Sequence, residues 1–405
     1  MDVVNTLFGL FGGLALFLFG MEMMSDGLQK AAGERMKYIL GLLTKNPIMG
    51  VLAGALTTAV LQSSSATTVM VIGFVSAGLM NLPQAISIIL GANIGTTITA
   101  QIIAFNISDY IYPIVFIGFL IAFVAKKEVV KNIGNTIFGF GVLFIGIEIM
   151  GTTMKPLASS QVFINLIGKV ADIPVLGLLL GVGITVVVQS SSAVIAVLQN
   201  FASQAGPDGV SSILGLQGAI PILLGSNIGT TITALLACIG QTRNAKRTAV
   251  AHSVFNITGS ILFMFIIPWF AKVIEFISPS GTEVEVISRQ IANAHTAFNV
   301  VNTIIWIPLI WLMVKIVMWI LPDKEEEKQQ EARSQFLDVN VMNQPVVALH
   351  LVSKEIINYT KQMEEFLSNI KEAMLEGGLE NLDKADKTAN QVTNIHDCLL
   401  YTSPS

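Results

Sequence analysis

Two short strings of neutral polar residues interrupt otherwise apolar sequence. Each reads Gln-Ser-Ser-Ser: Gln62, Ser63, Ser64 and Ser65, then Gln189, Ser190, Ser191 and Ser192. Three hydroxyls and one amide supply donors and acceptors together. The donors suit an oxyanion, and the oxygens suit a hard cation such as Na+. Serine is also a good helix N-cap, and free N–H groups at a helix start bind anions. A second pair of strings follows, GANIGTT at 91–97 and GSNIGTT at 225–231. Asn93, Thr96 and Thr97, with Asn227, Thr230 and Thr231, add further oxygens. The glycines there permit an unwound helix. Small residues and hydroxyls also serve plain helix packing in membranes, which is the competing reading of one string alone. Two strings, each duplicated at matching places, favour a site.

The elements around these strings are long and apolar. Hydrophobic residues make up 53% of the 405-residue chain and charged residues 12%, against about 25% charged in soluble domains. Apolar stretches lie near 7–24, 48–80, 83–105, 110–125, 132–150, 174–205, 211–238, 248–271 and 291–321. One membrane crossing takes about 20 helical residues. Most stretches fit one crossing, but 48–80 and 174–205 are too long for one and too polar at the centre for two. Those two carry the Gln-Ser-Ser-Ser strings.

The duplication extends outward. GVLAGALTTAVLQSSSATT (50–68) matches GLLLGVGITVVVQSSSAVI (177–195) at an offset of 127 residues. GANIGTTITA (91–100) matches GSNIGTTITA (225–234) at 134, so the second copy has gained seven residues, around GPDG (206–209). LFGMEMM (18–24) mirrors FIGIEIM (144–150), pairing Glu22 with Glu148. One unit therefore occurs twice: a span, a polar-tipped hairpin and a broken span. Interrupted helices at matching places in two halves are the sequence mark of a secondary transporter.

Charge sets the expected orientation, because cytoplasmic loops gather Lys and Arg. If both hairpins return to the side they left, ten basic residues fall inside: Lys30, Arg35, Lys37, Lys45, Lys126, Lys127, Lys131, Arg243, Lys246 and Arg247. Four fall outside, Lys155, Lys169, Lys272 and Arg289. The N-terminus is then outside and the C-terminus cytoplasmic, and the two units are inverted. The expected fold class is an all-α polytopic membrane protein of two inverted-topology repeats, each with a re-entrant hairpin and a broken helix. The expected domains are 1–131, a first repeat, and 132–321, a second, inverted repeat. A connector at 322–343 and a partial helical domain at 344–405 follow.

The tail holds 8 Lys or Arg and 15 Asp or Glu in residues 323–405. Leu349, Val352, Ile356, Tyr359, Met363, Phe366, Ile370 and Met374 recur at three and four, as in a coiled-coil helix. Gly377–Gly378 breaks it, and Leu382, Ala385, Val392 and Leu399 begin another. Two such helices bury little, so the soluble domain is expected to be incomplete. No cleavable signal peptide is expected, since no basic segment precedes the first apolar run. Two cysteines, Cys238 and Cys398, exclude a disulfide scaffold, and no basic patch supports nucleic-acid binding.

The paired QSSS strings followed by GANIGTT and GSNIGTT resemble the type II sodium–phosphate cotransporter family, in its bacterial branch. The tail resembles the start of a PhoU-like helical domain. The resemblance implies a bacterial inner-membrane symporter of inorganic phosphate, with Na+ as coupling ion, no other cofactor and no catalysis. It implies a phosphate and sodium site formed by Gln62, Ser63, Ser64, Ser65, Thr67 and Thr68 with Gln189, Ser190, Ser191 and Ser192. Asn93, Thr96, Thr97, Asn227, Thr230 and Thr231 join them. One departure stands out: Val194 and Ile195 occupy the places of Thr67 and Thr68, so the second unit lacks those hydroxyls. A homodimer, and a regulatory partner for the C-terminal helices, are further expectations.

Other polar residues support lesser readings. Glu22 and Glu148 lie near span ends, where a structural partner competes with a functional role. His252 and His295, in AHSVFN and AHTAFN, read as packing histidines, and Asn256 and Asn299 as interhelical ties. Lys315 snorkels to the inner surface. A serine-nucleophile enzyme finds no His or Lys base beside either string. A channel would need a polar face along several spans, whereas polarity gathers at two points. A sodium-coupled carrier of another oxyanion, or a phosphate exporter, fits the same residues.

Overall fold

A computed structural model describes residues 3–32, 46–105, 107, 110–158, 168–170, 172–206, 208–322, 345–376, 386 and 389. The described chain is built of helices. They are α1 (Val3–Ala32), α2 (Pro47–Leu61), α3 (Ser64–Ser76), α4 (Leu82–Ile103), α5 (Ile111–Val124), α6 (Glu128–Ala158) and α7 (Pro174–Val188). Then come α8 (Ser191–Ala202), α9 (Gly215–Ala237), α10 (Arg243–Met264), α11 (Ile267–Ile277), α12 (Glu283–Trp306), α13 (Ile310–Ile320) and α14 (Pro345–Glu376). Four of the described helices are long and apolar enough to cross a membrane, or six if each bent pair counts as one span. Large apolar side chains such as Phe123, Phe265, Phe276 and Trp319 stand more than three-quarters exposed. In water they would be a liability; against acyl chains they are solvated.

The two over-long stretches split where the sequence places the polar strings. α2 stops at Leu61 because Gln62 turns left-handed (φ 53°), and Ser63 caps α3 by accepting from Ala66 N at 3.1 Å. α7 stops the same way at Gln189 (φ 56°), and Ser190 accepts from Ala193 N at 3.3 Å. These are the only positive-φ residues other than glycine among those described. A left-handed glutamine between two helices costs energy that local packing must offset.

The spans expected to break do not. α4 and α9 run through GANIGTT and GSNIGTT without interruption. The glycines serve close approach instead. A Cβ at Gly91 would lie 1.9 Å from Val51 O, and one at Gly225 would lie 2.0 Å from Leu178 O. Bare backbone lets α2 lie against α4, and α7 against α9. The breaks fall later, in stretches expected as single spans. α10 and α11 meet at 92°, and α12 and α13 at 87°. Pro268 starts the second half of one pair and Pro308 lies in the gap of the other, where a missing N–H and ring clash end a helix.

α1 packs along α6, which also holds α5. The core gathers around α9 to α12, where Phe263 meets Phe270 and Phe298 edge-on at 4.8 and 5.1 Å. The seven extra residues of the second half form a loop tied by Asp208, whose carboxylate accepts from Val210 N and Ser211 N at 3.0 and 2.9 Å. Hydrogen bonds, the Ser211 hydroxyl's first, hold the Asp208 carboxyl down to about 2.

α14 touches the α3–α4 turn. Leu351 is buried with Ala77, and Lys354 Nζ donates to Gly78 O at 3.4 Å. The connector expected beyond Pro322 and the second tail helix, Asp386 and Ala389 apart, lie outside the described residues, as do Arg35, Lys37, Lys45 and Cys398.

Candidate functional site

The two capped turns face one pocket. Gln62, Ser63, Ser64, Ser65, Gln189, Ser190, Ser191 and Ser192 line it, with Thr230 from α9 and Met21, Glu22 and Ser25 from α1. Its volume is about 180 Å³. Residues 127 apart in sequence thus share one cavity, brought there by two helix starts. α3 and α8 each present their first N–H groups near the capping serines, which is where an anion binds.

The two halves are not equivalent. Gln62 is 7% exposed and its Oε1 accepts from Thr99 Oγ1 at 2.8 Å. Gln189 is exposed, and Thr233, which matches Thr99, has a buried hydroxyl without a partner. Ser25 Oγ donates to Leu61 O at 2.6 Å and so ties α1 to the end of α2. Among the described residues the lining carries one carboxylate, Glu22, and neither Lys nor Arg. An anion there meets neutral dipoles, not fixed positive charge.

The remaining expected residues lie behind this lining. Thr67 and Thr68 are fully buried; Thr58 Oγ1 donates to Thr67 Oγ1 at 2.8 Å. Thr96 is buried with an unpartnered hydroxyl, and Thr97 donates to Ile94 O. Thr231 Oγ1 donates to Ile228 O. Asn93 Oδ1 faces His252 Nε2 at 3.4 Å, and Asn227 Oδ1 faces His295 Nε2 at 3.2 Å. Sequence reasoning missed Met21 and Ser25. It noticed Glu22, whose signal was its twin at Glu148, but did not place it beside the serines. Glu148 does not line this pocket.

A larger cavity, about 280 Å³, lies beside α7 and α8. Leu14, Leu180, Ile184, Val188, Val197 and Phe201 are among its lining, which is apolar throughout. It offers an ion nothing to bind.

Several membrane-length apolar helices define a multi-pass membrane protein, and the comparisons with known proteins say of which family. The family described as Na+/Pi-cotransporter matches twice, over residues 16–152 and 145–282. The uncharacterized protein YqeW of Bacillus subtilis is 34% identical over 67% of this chain and 85% of its own length. The putative inorganic phosphate export protein YjbB of Escherichia coli K12 is 24% identical over 91% of this chain and 65% of its own. The rat sodium-dependent phosphate transport protein 2A is 38% identical over 23% of this chain and 15% of its own length. No solved structure matches. The chain belongs to the Na+/Pi-cotransporter family.

Proposed function

We propose that this protein is a sodium-coupled symporter of inorganic phosphate working by alternating access. The observation that carries the reading is that both Gln-Ser-Ser-Ser turns line one pocket that, among the described residues, holds no Lys or Arg. Burying a phosphate anion without compensation is costly. Helix-start N–H groups and serine hydroxyls hold its oxygens, and co-bound Na+ neutralises it. Each ion lowers the cost of burying the other, which couples their movement. Gln62, Ser63, Ser64, Ser65, Gln189, Ser190, Ser191, Ser192 and Thr230 line the site; Thr67, Thr68, Asn93, Thr96, Thr97, Asn227 and Thr231 form its surround.

In this reading α2–α3 and α7–α8 are re-entrant hairpins. At 15, 13, 15 and 12 residues the four helices span about 22, 20, 22 and 18 Å, short of the ~30 Å hydrocarbon core. Polar ties support the inverted topology. Ser76 bonds Gln241, Arg247 bonds Leu321 O and Lys354 bonds Gly78 O, which gathers one set of ends. Arg289 bonds Gln101, Gln199 bonds Ser288 O and Ser212 bonds Glu283, which gathers the other. The first set is cytoplasmic, in a bacterial inner membrane, and α14 begins a PhoU-like regulatory domain there.

A second reading, export, is favoured by the relatives whose name includes phosphate export. It uses the same site with net flow outward. Phosphate movement in proteoliposomes, with an inward or outward sodium gradient, tests the sodium coupling on which the first reading rests. Movement that follows the sodium gradient supports symport, and movement indifferent to sodium refutes it.

A further inference from the structure

Four buried side chains behind the site have no part in the function proposed above. His252 and Asn256 lie one turn apart on α10, and His295 and Asn299 lie one turn apart on α12. All four are at most 1% exposed. His252 Nε2 and Asn256 Nδ2 both approach Asn93 Oδ1 at 3.4 Å. His295 Nε2 approaches Asn227 Oδ1 at 3.2 Å. An amide oxygen only accepts, so each ring's Nε2 carries the hydrogen.

The rest of the arrangement is also built twice. Asn93 and Asn227 each donate at 2.9 Å to a carbonyl one turn back, Ile89 O and Leu223 O. Asn256 and Asn299 donate to the carbonyls of His252 and His295 at 3.1 and 2.9 Å. Both Nδ1 atoms, and the Oδ1 atoms of Asn256 and Asn299, have no hydrogen-bond partner. Each ring's side-chain tie is therefore to its Asn alone. The pairs stand in AHSVFN and AHTAFN, 43 residues apart, on the first halves of the two bent pairs. Packing needs no such duplication of donors on matched asparagines.

We infer that His252 with Asn256, and His295, are positioning residues that fix the rotation of α4 and α9 and so align threonine oxygens for the coupling cation. Three residues on from each Asn, on the same helix face, stand Thr96 and Thr230. Thr96 has a buried, unpartnered hydroxyl, and Thr230 lines the pocket. Thr99, which holds Gln62, lies a further turn along α4. In the first unit two donors already occupy the two lone pairs of Asn93 Oδ1. Asn93 thus acts through the helix it anchors. This inference rests on the symporter reading.

The test compares two short polar replacements at each histidine. Glutamine reaches the Nε2 position with a donor; asparagine is too short. His252→Asn and His295→Asn should each raise the sodium concentration for half-maximal phosphate uptake by about fivefold or more, the low end of losing a buried partner. His252→Gln and His295→Gln should stay within about twofold of wild type, on the same scale. Where a variant transports too little to measure, the rise in thermal midpoint that sodium produces in purified protein gives the same comparison. Gln and Asn variants that share one sodium curve, at the wild-type place or shifted together, would overturn the brace. Wild-type protein indifferent to sodium in both assays would instead sink the symporter reading, and the brace with it.

Discussion

Gly91→Ala is a small change aimed at the contact that carries the first capped turn. Its Cβ would sit 1.9 Å from Val51 O, a backbone atom that cannot swing aside, and real Cβ contacts stay above 3.0 Å. α2 and α4 must then part by about 1 Å. Overpacking of this kind costs about 1–3 kcal/mol. The same displacement acts on the Thr99–Gln62 bond, now 2.8 Å, which ceases to be a hydrogen bond near 3.6 Å. Gly225→Ala should do the same to α7 and α9, where Leu178 O lies 2.0 Å from the added carbon. Gly73→Ala and Gly183→Ala are the controls, since a Cβ there meets nothing within 4 Å. The assay is thermal unfolding in detergent with uptake measured per folded molecule. Gly91→Ala and Gly225→Ala should lower the midpoint and reduce uptake, while the controls match wild type. Four variants that behave alike would refute the claim that these glycines exist for close helix approach.

Topology and the tail give two further tests. With Cys238 and Cys398 replaced, a single cysteine at Thr282 should label from outside intact cells, and one at Ile239 only after permeabilisation; the reverse pattern would invert the proposed orientation. A chain ending at Lys328 loses the Leu351 and Lys354 contacts to Ala77 and Gly78. It should keep sodium-dependent uptake in vesicles, and complete loss at normal abundance would place the tail in the transport machinery.

The helical, membrane-spanning character of the chain was legible in its composition. Serine's capping habit and a polar string in an apolar run pointed to helix breaks, and Ser63 and Ser190 do cap helices there. What no composition revealed was the left-handed Gln62 and Gln189, because glutamine carries no preference for that conformation. The glycines of GANIGTT misled, since glycine loosens a helix in isolation but also permits close packing. Here the carbonyls of α2 and α7 decided between the two. The bends near 265 and 308 had a local signal in Pro268 and Pro308, masked by the uninterrupted apolar run around them. Glu22 and Ser25 join the pocket through packing of α1 against a helix 36 residues on. His252 and His295 read as packing because their partners, Asn93 and Asn227, lie 159 and 68 residues away.

The central claim is one phosphate held with sodium between both turns. Its most direct measurement is equilibrium binding of radiolabelled phosphate to purified protein, with sodium and with potassium in its place. Wild type should bind one phosphate per chain in sodium and far less in potassium. Gln62→Ala, which leaves the Thr99 hydroxyl unpaired at ~1–3 kcal/mol, should weaken binding by roughly 5- to 150-fold, and Gln189→Ala, which removes an amide from the same lining, should weaken it in the same direction. Full sodium-dependent binding in both variants would contradict the account and place the site elsewhere.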